Sequence, residues 1–97
     1  MKPSVLLSIH KEEILERFAK RDKLSNLRVF GSVARGEDTS DSDIDFLVTT
    51  APDATLLDIG GLCADLEEFF GENFDVIEED SLPTKFKDQV LREAISL

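Results

Sequence analysis

Two short patterns in this 97-residue sequence could do chemistry. Gly31-Ser32 is followed by ten residues and then by Asp43-Ile44-Asp45. Alternation along an extended strand points Asp43 and Asp45 to one face, about 6.5–7 Å apart at the backbone, and sends Ile44, Phe46 and Val48 to the other. Two carboxylates held side by side repel unless they share a cation. One or two carboxylates, with phosphate oxygens completing the shell, are what magnesium takes. Gly31 lets the backbone turn sharply and approach a ligand closely. Exposed amides after such a turn, together with the Ser32 hydroxyl, can cradle phosphate oxygens. Arg35-Gly36 adds a cation and a second flexible position to the same loop.

Asp75 is a third carboxylate, set between apolar neighbours in Phe74-Asp75-Val76-Ile77. A strand paired beside Asp43 and Asp45 would bring it into the same cluster. Three carboxylates around two magnesium ions suit an in-line phosphoryl displacement, one metal activating the attacking hydroxyl and the other neutralising the leaving pyrophosphate. Each piece has a plainer counterpart. Asp43 and Asp45 also fit a polar strand end, Gly31-Ser32 a bare turn, and Asp75 an acidic strand edge.

Competing motifs fail on position. Asp41, Asp43 and Asp45 imitate the first half of a calcium-binding helix-loop-helix, which then needs glycine at its sixth position and glutamate at its twelfth. Those positions hold Phe46 and Pro52. A haloacid-dehalogenase phosphatase carries its Asp-x-Asp after an apolar strand, whereas the polar run Glu37 to Ser42 precedes this one. No glycine-rich loop ending in Lys-Ser or Lys-Thr exists.

The periodicity predicts the elements that must hold these residues. A first amphipathic helix is expected from about Ser8 to Arg21, with Ser8 as its N-cap and Ile14, Leu15, Phe18 and Ala19 as its apolar stripe. Short strands follow at Leu27 to Phe30, ended by Gly31, and at Ile44 to Val48. Pro52 and Asp53 open a second helix in which Leu56, Ile59, Cys63, Leu66 and Phe70 recur at helical spacing, with Gly60-Gly61 weakening it and Gly71 at its C-terminal cap. Phe74 to Ile77 reads as a third strand. Pro83 at a helix start, with Phe86, Val90, Leu91 and Ala94, marks a final helix. The order α-β-β-α-β-α implies an α+β or mixed α/β fold, with helices packed on a small sheet.

Size and charge bound the rest. The length predicts one domain spanning residues 1–97. Eleven basic against 21 acidic side chains give a net charge of −10, which argues against direct nucleic-acid binding and against anionic membrane. The charge is segregated. Residues 1–35 hold eight basic and four acidic side chains, and residues 36–84 hold fifteen acidic side chains and no basic one. Such a block is offset by metal cations, by a basic partner or by water on a solvated face. The longest apolar run is three or four residues, too short to span a membrane. No signal core is present at the N-terminus. Cys63 stands alone, so a disulfide framework is excluded and a cytoplasmic location is expected. Cys63 reads as a core thiol on its helix, and His10 as a surface or cap residue near the start of the first helix. Phe69-Phe70 or the terminal helix could expose an apolar patch for assembly.

The spaced pattern Gly31-Ser32, ten residues, Asp43-x-Asp45 resembles the signature of the minimal nucleotidyltransferases of the DNA polymerase beta superfamily. Arg35-Gly36 and the later Asp75 are also similar, and length and element order carry the resemblance over nearly the whole chain. It implies a nucleotidyltransferase fold, magnesium dependence with a two-ion site, and ATP as the source of a transferred AMP. Asp43, Asp45 and Asp75 would bind metal and act in catalysis, with Asp75 helping to activate the nucleophile. Gly31 and Ser32, assisted by Arg35, would hold the triphosphate. Short stand-alone members are commonly antitoxins of HEPN-domain ribonuclease toxins and silence them by adenylylating a tyrosine. The implied assembly is a hetero-oligomer with such a toxin. Two other readings remain open: an antitoxin that neutralises its partner by docking alone, and nucleotidyl transfer to a small molecule or an RNA end.

Overall fold

Apolar residues at every second position make the strand Ile44–Thr50 (β2) the centre of the molecule. In the computed structural model, which describes residues 1–97, Ile44, Phe46 and Val48 are fully buried on one face of β2. Around it the chain runs α1 (Pro3–Ala19), β1 (Leu24–Phe30), α2 (Gly31–Arg35), β2, α3 (Leu56–Phe70), β3 (Phe74–Glu78), a 3₁₀ turn (Glu79–Ser81), α4 (Thr84–Glu93) and β4 (Ile95–Ser96). The four strands form one sheet in the order β3-β2-β1-β4. β1 pairs antiparallel with β2 and with β4, and β2 pairs parallel with β3. The fold is thus α+β with a mixed sheet.

Helices α1 and α3 cover one face. Leu7 and Ile14 of α1 and Leu62, Leu66 and Phe70 of α3 close over Leu24, Leu27, Val29, Ile44, Phe46 and Val48. The other face carries Arg28 and the fully buried Leu47 at its centre. The Arg28 guanidinium donates to Glu79 at 2.9 Å, Thr49 Oγ1 at 3.1 Å and the Asn26 carbonyl at 3.0 Å, so this buried charge is paired and hydrogen-bonded as burial requires.

Several elements depart from the sequence expectation. The first helix begins at Pro3 rather than Ser8, and Ser8 is not its cap. Proline at the first helical position lacks the amide that would go unpaired there. The Ser4 amide finds a distant acceptor, Asp38 Oδ2 at 2.9 Å. His10 therefore lies mid-helix, its ring 4.9 Å from that of Phe69. β1 starts at Leu24, three residues early. The helix expected from Pro52-Asp53 begins at Leu56, because Thr55 and Asp58 form a reciprocal capping box. It runs unbroken through Gly60-Gly61 and ends at Gly71, whose positive φ of 61° serves the expected stop. Pro83 stands at the N-cap of α4, one place ahead of its first turn, and Ala94 lies beyond its end. Phe70 belongs to the core, while Phe86 and Leu91 of the terminal helix are exposed. Cys63 is half-buried rather than sealed in the core, and burial raises its thiol pKa. The short elements α2 and β4 were not anticipated. No helix is long and apolar enough to cross a membrane.

Candidate active site

Because Ile44, Phe46 and Val48 commit one face of β2 to the core, Asp45 must point to the opposite face. Parallel pairing with β3 sets Asp45 directly beside Asp75. Asp43 lies two residues before Asp45, just ahead of the strand. Asp43 and Asp75 are exposed and Asp45 is half-buried, so the cluster opens to solvent. Burial, then the charges of Asp75 and Asp43, hold the Asp45 carboxyl above its ordinary pKa, with Arg35 opposing and Glu93 adding to the rise. The three carboxylates expected to cluster therefore share one end of the sheet and interact through their charge.

Gly31 follows β1 directly, across the ladder from β2, where Phe30 is the register partner of Asp45. Its φ is +72°, a conformation that disfavours any side chain, and an added Cβ would overlap Asp45 Oδ2. The glycine is needed twice, for the turn and for the close approach of the carboxylate. The chain then makes the five-residue helix α2, which carries Ser32 and Arg35 and ends at Gly36 in the left-handed conformation.

The ten-residue spacer to Asp43 is a built segment. After α2 and its glycine cap, Asp38 is buried and grips the start of α1 through the Ser4 amide. That hydrogen bond is the leading reason its carboxyl pKa is lowered. Thr39 and Ser42 then close a turn, Thr39 N–H to Ser42 Oγ at 2.8 Å and Ser42 N–H to the Thr39 carbonyl at 3.1 Å, which delivers Asp43 to the head of β2. Sequence reasoning missed Asp38 as an anchor. It also missed Glu93, whose Oε1 accepts from the Gly31 amide at 2.7 Å and from Arg35 Nη1 at 3.0 Å.

The donor set fits magnesium. It is all carboxylate oxygen, and burial with the charges of Asp75 and Asp43 makes ionised Asp45 costly without a cation. No three acidic, histidine or cysteine side chains converge closely enough to hold a metal ion by themselves. That matches an ion that binds one or two carboxylates and takes the rest of its shell from phosphates and water. A hollow of about 410 Å³ lies along α1 between Glu12, Leu15, Glu16 and Ala19, away from Asp43, Asp45 and Asp75. The acidic end of the sheet is open to solvent at Asp43 and Asp75.

Residues 11–97 match the model of the nucleotidyltransferase domain. The chain belongs to this family. Over 90 residues it is 38% identical to protein adenylyltransferase MntA of Thermococcus cleftensis, covering 93% of this chain and 87% of that protein. A solved structure assigned as a minimal nucleotidyltransferase superposes with a TM-score of 0.83 at 41% identity, covering 97% of this chain and 95% of the other. A chain from the complex of tri-AMPylated Shewanella oneidensis HEPN toxin with MNT antitoxin shares the fold, with a TM-score of 0.64 at 20% identity over 92% of this chain and 69% of that one. The minimal nucleotidyltransferase fold expected from Gly31-Ser32 and Asp43-x-Asp45 is the fold observed, and the chain is a nucleotidyltransferase enzyme.

Proposed function

We propose that this nucleotidyltransferase moves AMP from ATP to a tyrosine hydroxyl of a HEPN ribonuclease toxin and so acts as its antitoxin. The single observation that carries the chemistry is the register: Asp45 beside Asp75, with Asp43 two residues away and Gly31 pressed against the Asp45 carboxylate. The acceptor assignment is supported by the name of the Thermococcus relative, a protein adenylyltransferase, and by the Shewanella complex, whose HEPN toxin is AMPylated. The acidic block from residue 36 to 84 offers such a partner a negatively charged surface.

In this reading Gly31, Ser32 and Arg35 bind the triphosphate of ATP. The acceptor oxygen attacks the α-phosphorus in line and forms a new P–O bond, while the bond from the α-phosphorus to the bridging oxygen breaks and pyrophosphate departs with that oxygen. Asp75, exposed beside Asp45, orients the acceptor hydroxyl and takes its proton. Asp43, Asp45 and Asp75 would hold magnesium, which supplies charge neutralisation at the phosphates and activation of the hydroxyl. The open acidic end of the sheet leaves orientation of the tyrosine to the partner, so most of the proximity effect depends on docking.

A test in cells separates transfer from docking. Asp43→Ala with Asp45→Ala should abolish protection against the co-expressed toxin while the two proteins still co-purify. Full protection by the double variant would reject adenylylation in favour of neutralisation by binding.

A further inference from the structure

The helix that carries Ser32 and Arg35 is held at its C-terminal end by the Gly36 and Glu37 amides and packs Val33 on the core, but its start has no local cap. It is five residues long, and an isolated helix of that length does not persist. Its N-cap residue, Phe30, has no side-chain group to offer its first amides. The missing acceptor comes from the far end of the sequence. Glu93 Oε1 accepts from the Gly31 amide at 2.7 Å, and the same carboxylate accepts from Arg35 Nη1 at 3.0 and 3.1 Å. One side chain therefore ties down both ends of α2.

Glu93 is itself fixed. It is the last residue of α4, its side chain is 18% exposed, and the chain beyond it joins the sheet. Ile95 pairs with Val29, and the Leu97 amide donates to the Leu27 carbonyl at 3.2 Å. This edge pairing sets Glu93 next to the point where β1 turns into Gly31. The Arg35 Nε meanwhile binds Glu37 at 2.6 Å. Of the guanidinium's three nitrogens, Nε and Nη1 are directed by carboxylates, and Nη2 remains for another acceptor.

We infer that Glu93 is a positioning residue for nucleotide binding, acting through the Gly31 amide and Arg35 to hold α2 in the geometry that receives the triphosphate. The inference rests on the assignment of Gly31, Ser32 and Arg35 to the triphosphate. Glutamine at position 93 keeps an acceptor oxygen for Gly31 and Arg35, whereas alanine removes it.

The test is the dissociation constant for ATP with magnesium, measured by calorimetry on the wild type, Glu93→Ala and Glu93→Gln, at a temperature where melting curves show all three folded. Loss of a helix-capping acceptor predicts about fivefold weaker binding for Glu93→Ala. Glu93→Gln should fall between the two, since its single amide oxygen can still accept from Gly31 and Arg35 while the second acceptor and the charge are lost. Hydrogen exchange should quicken in residues 31–35 of Glu93→Ala ahead of the rest of the chain. If Glu93 only added stability, the melting temperature would fall and the dissociation constant of the folded protein would not change. That result overturns the inference. So does tighter binding by Glu93→Ala, which would make Glu93 a competitor of the phosphates. A wild type that binds no ATP with magnesium overturns the triphosphate assignment and this inference together, whereas equal binding by all three overturns the inference alone.

Discussion

Replacing Asp45 by asparagine should stabilise the ligand-free protein while destroying the site. Asp45 and Asp75 are register partners on adjacent parallel strands, and Asp43 precedes Asp45 by two residues. A separation of roughly 5 Å and an effective dielectric of about 40 give ~1.7 kcal/mol of repulsion for such a pair. The exposure of Asp75 and the lost attraction of Arg35 reduce the net gain to about 1 kcal/mol. For a chain of this size that raises the melting temperature by roughly 4–8 °C. The pH dependence has a definite sign. Asp45 has its folded pKa raised above the ordinary 3.8, so the native state takes up the proton more readily than the unfolded chain. The cost to native stability builds as pH rises from the unfolded towards the folded value and is complete above it, and acidification relieves it. The advantage of Asp45→Asn should thus be present at neutral pH and fade as pH falls through the raised pKa. Thermal melts in chelator and in magnesium with ATP provide the assay. The wild type should gain about 2.7 kcal/mol at a hundredfold excess of ligand over its dissociation constant, and the variant little or nothing. An Asp45→Asn protein that melts below the wild type in chelator, or that magnesium with ATP stabilises equally, would refute the electrostatic account.

Three other substitutions probe the scaffold. Gly31→Ala forces a side chain into a left-handed backbone and against Asp45, and should cost about 1–3 kcal/mol in a chemical denaturation curve and abolish nucleotide binding. Gly60→Ala meets no neighbour within α3 and should raise stability by about 0.5–1 kcal/mol, read as a higher melting temperature with unchanged activity. Asp38→Asn weakens the acceptor for the Ser4 amide and should cost about 1 kcal/mol. Because the Asp38 pKa is lowered, its stabilisation is present above the ordinary carboxylate pKa and is lost as pH falls through the folded value, so the two melting curves should converge in acid.

The placement of the acidic residues was legible in the sequence where it follows from local spacing. Alternation in Ile44 to Val48 assigned Asp45 to the face away from the core, and the short apolar run around Asp75 marked the strand that comes to lie beside it. The register that joins Asp45 to Asp75 is a tertiary fact, visible only in the parallel ladder between β2 and β3. Elements with too few residues to show a period stayed hidden. α2 spans little more than one helical turn, and β4 is two residues, of which Ile95 pairs with Val29, 66 positions earlier. Glu93 gave no signal, because its role depends on a contact 62 residues away in sequence. The start of α1 was misread for a different reason. Pro3 was the better marker than Ser8, and the acceptor that satisfies the new first turn, Asp38, lies 34 residues downstream.

Intact-mass spectrometry of the proposed HEPN partner tests the proposed adenylylation most directly. The purified pair is incubated with ATP and magnesium, and the partner is weighed before and after. The account predicts mass steps of one AMP unit each, carried on tyrosine in tandem fragmentation and absent with the Asp43→Ala, Asp45→Ala double variant. An unchanged mass in a stable complex, or the same steps from the double variant, would contradict it.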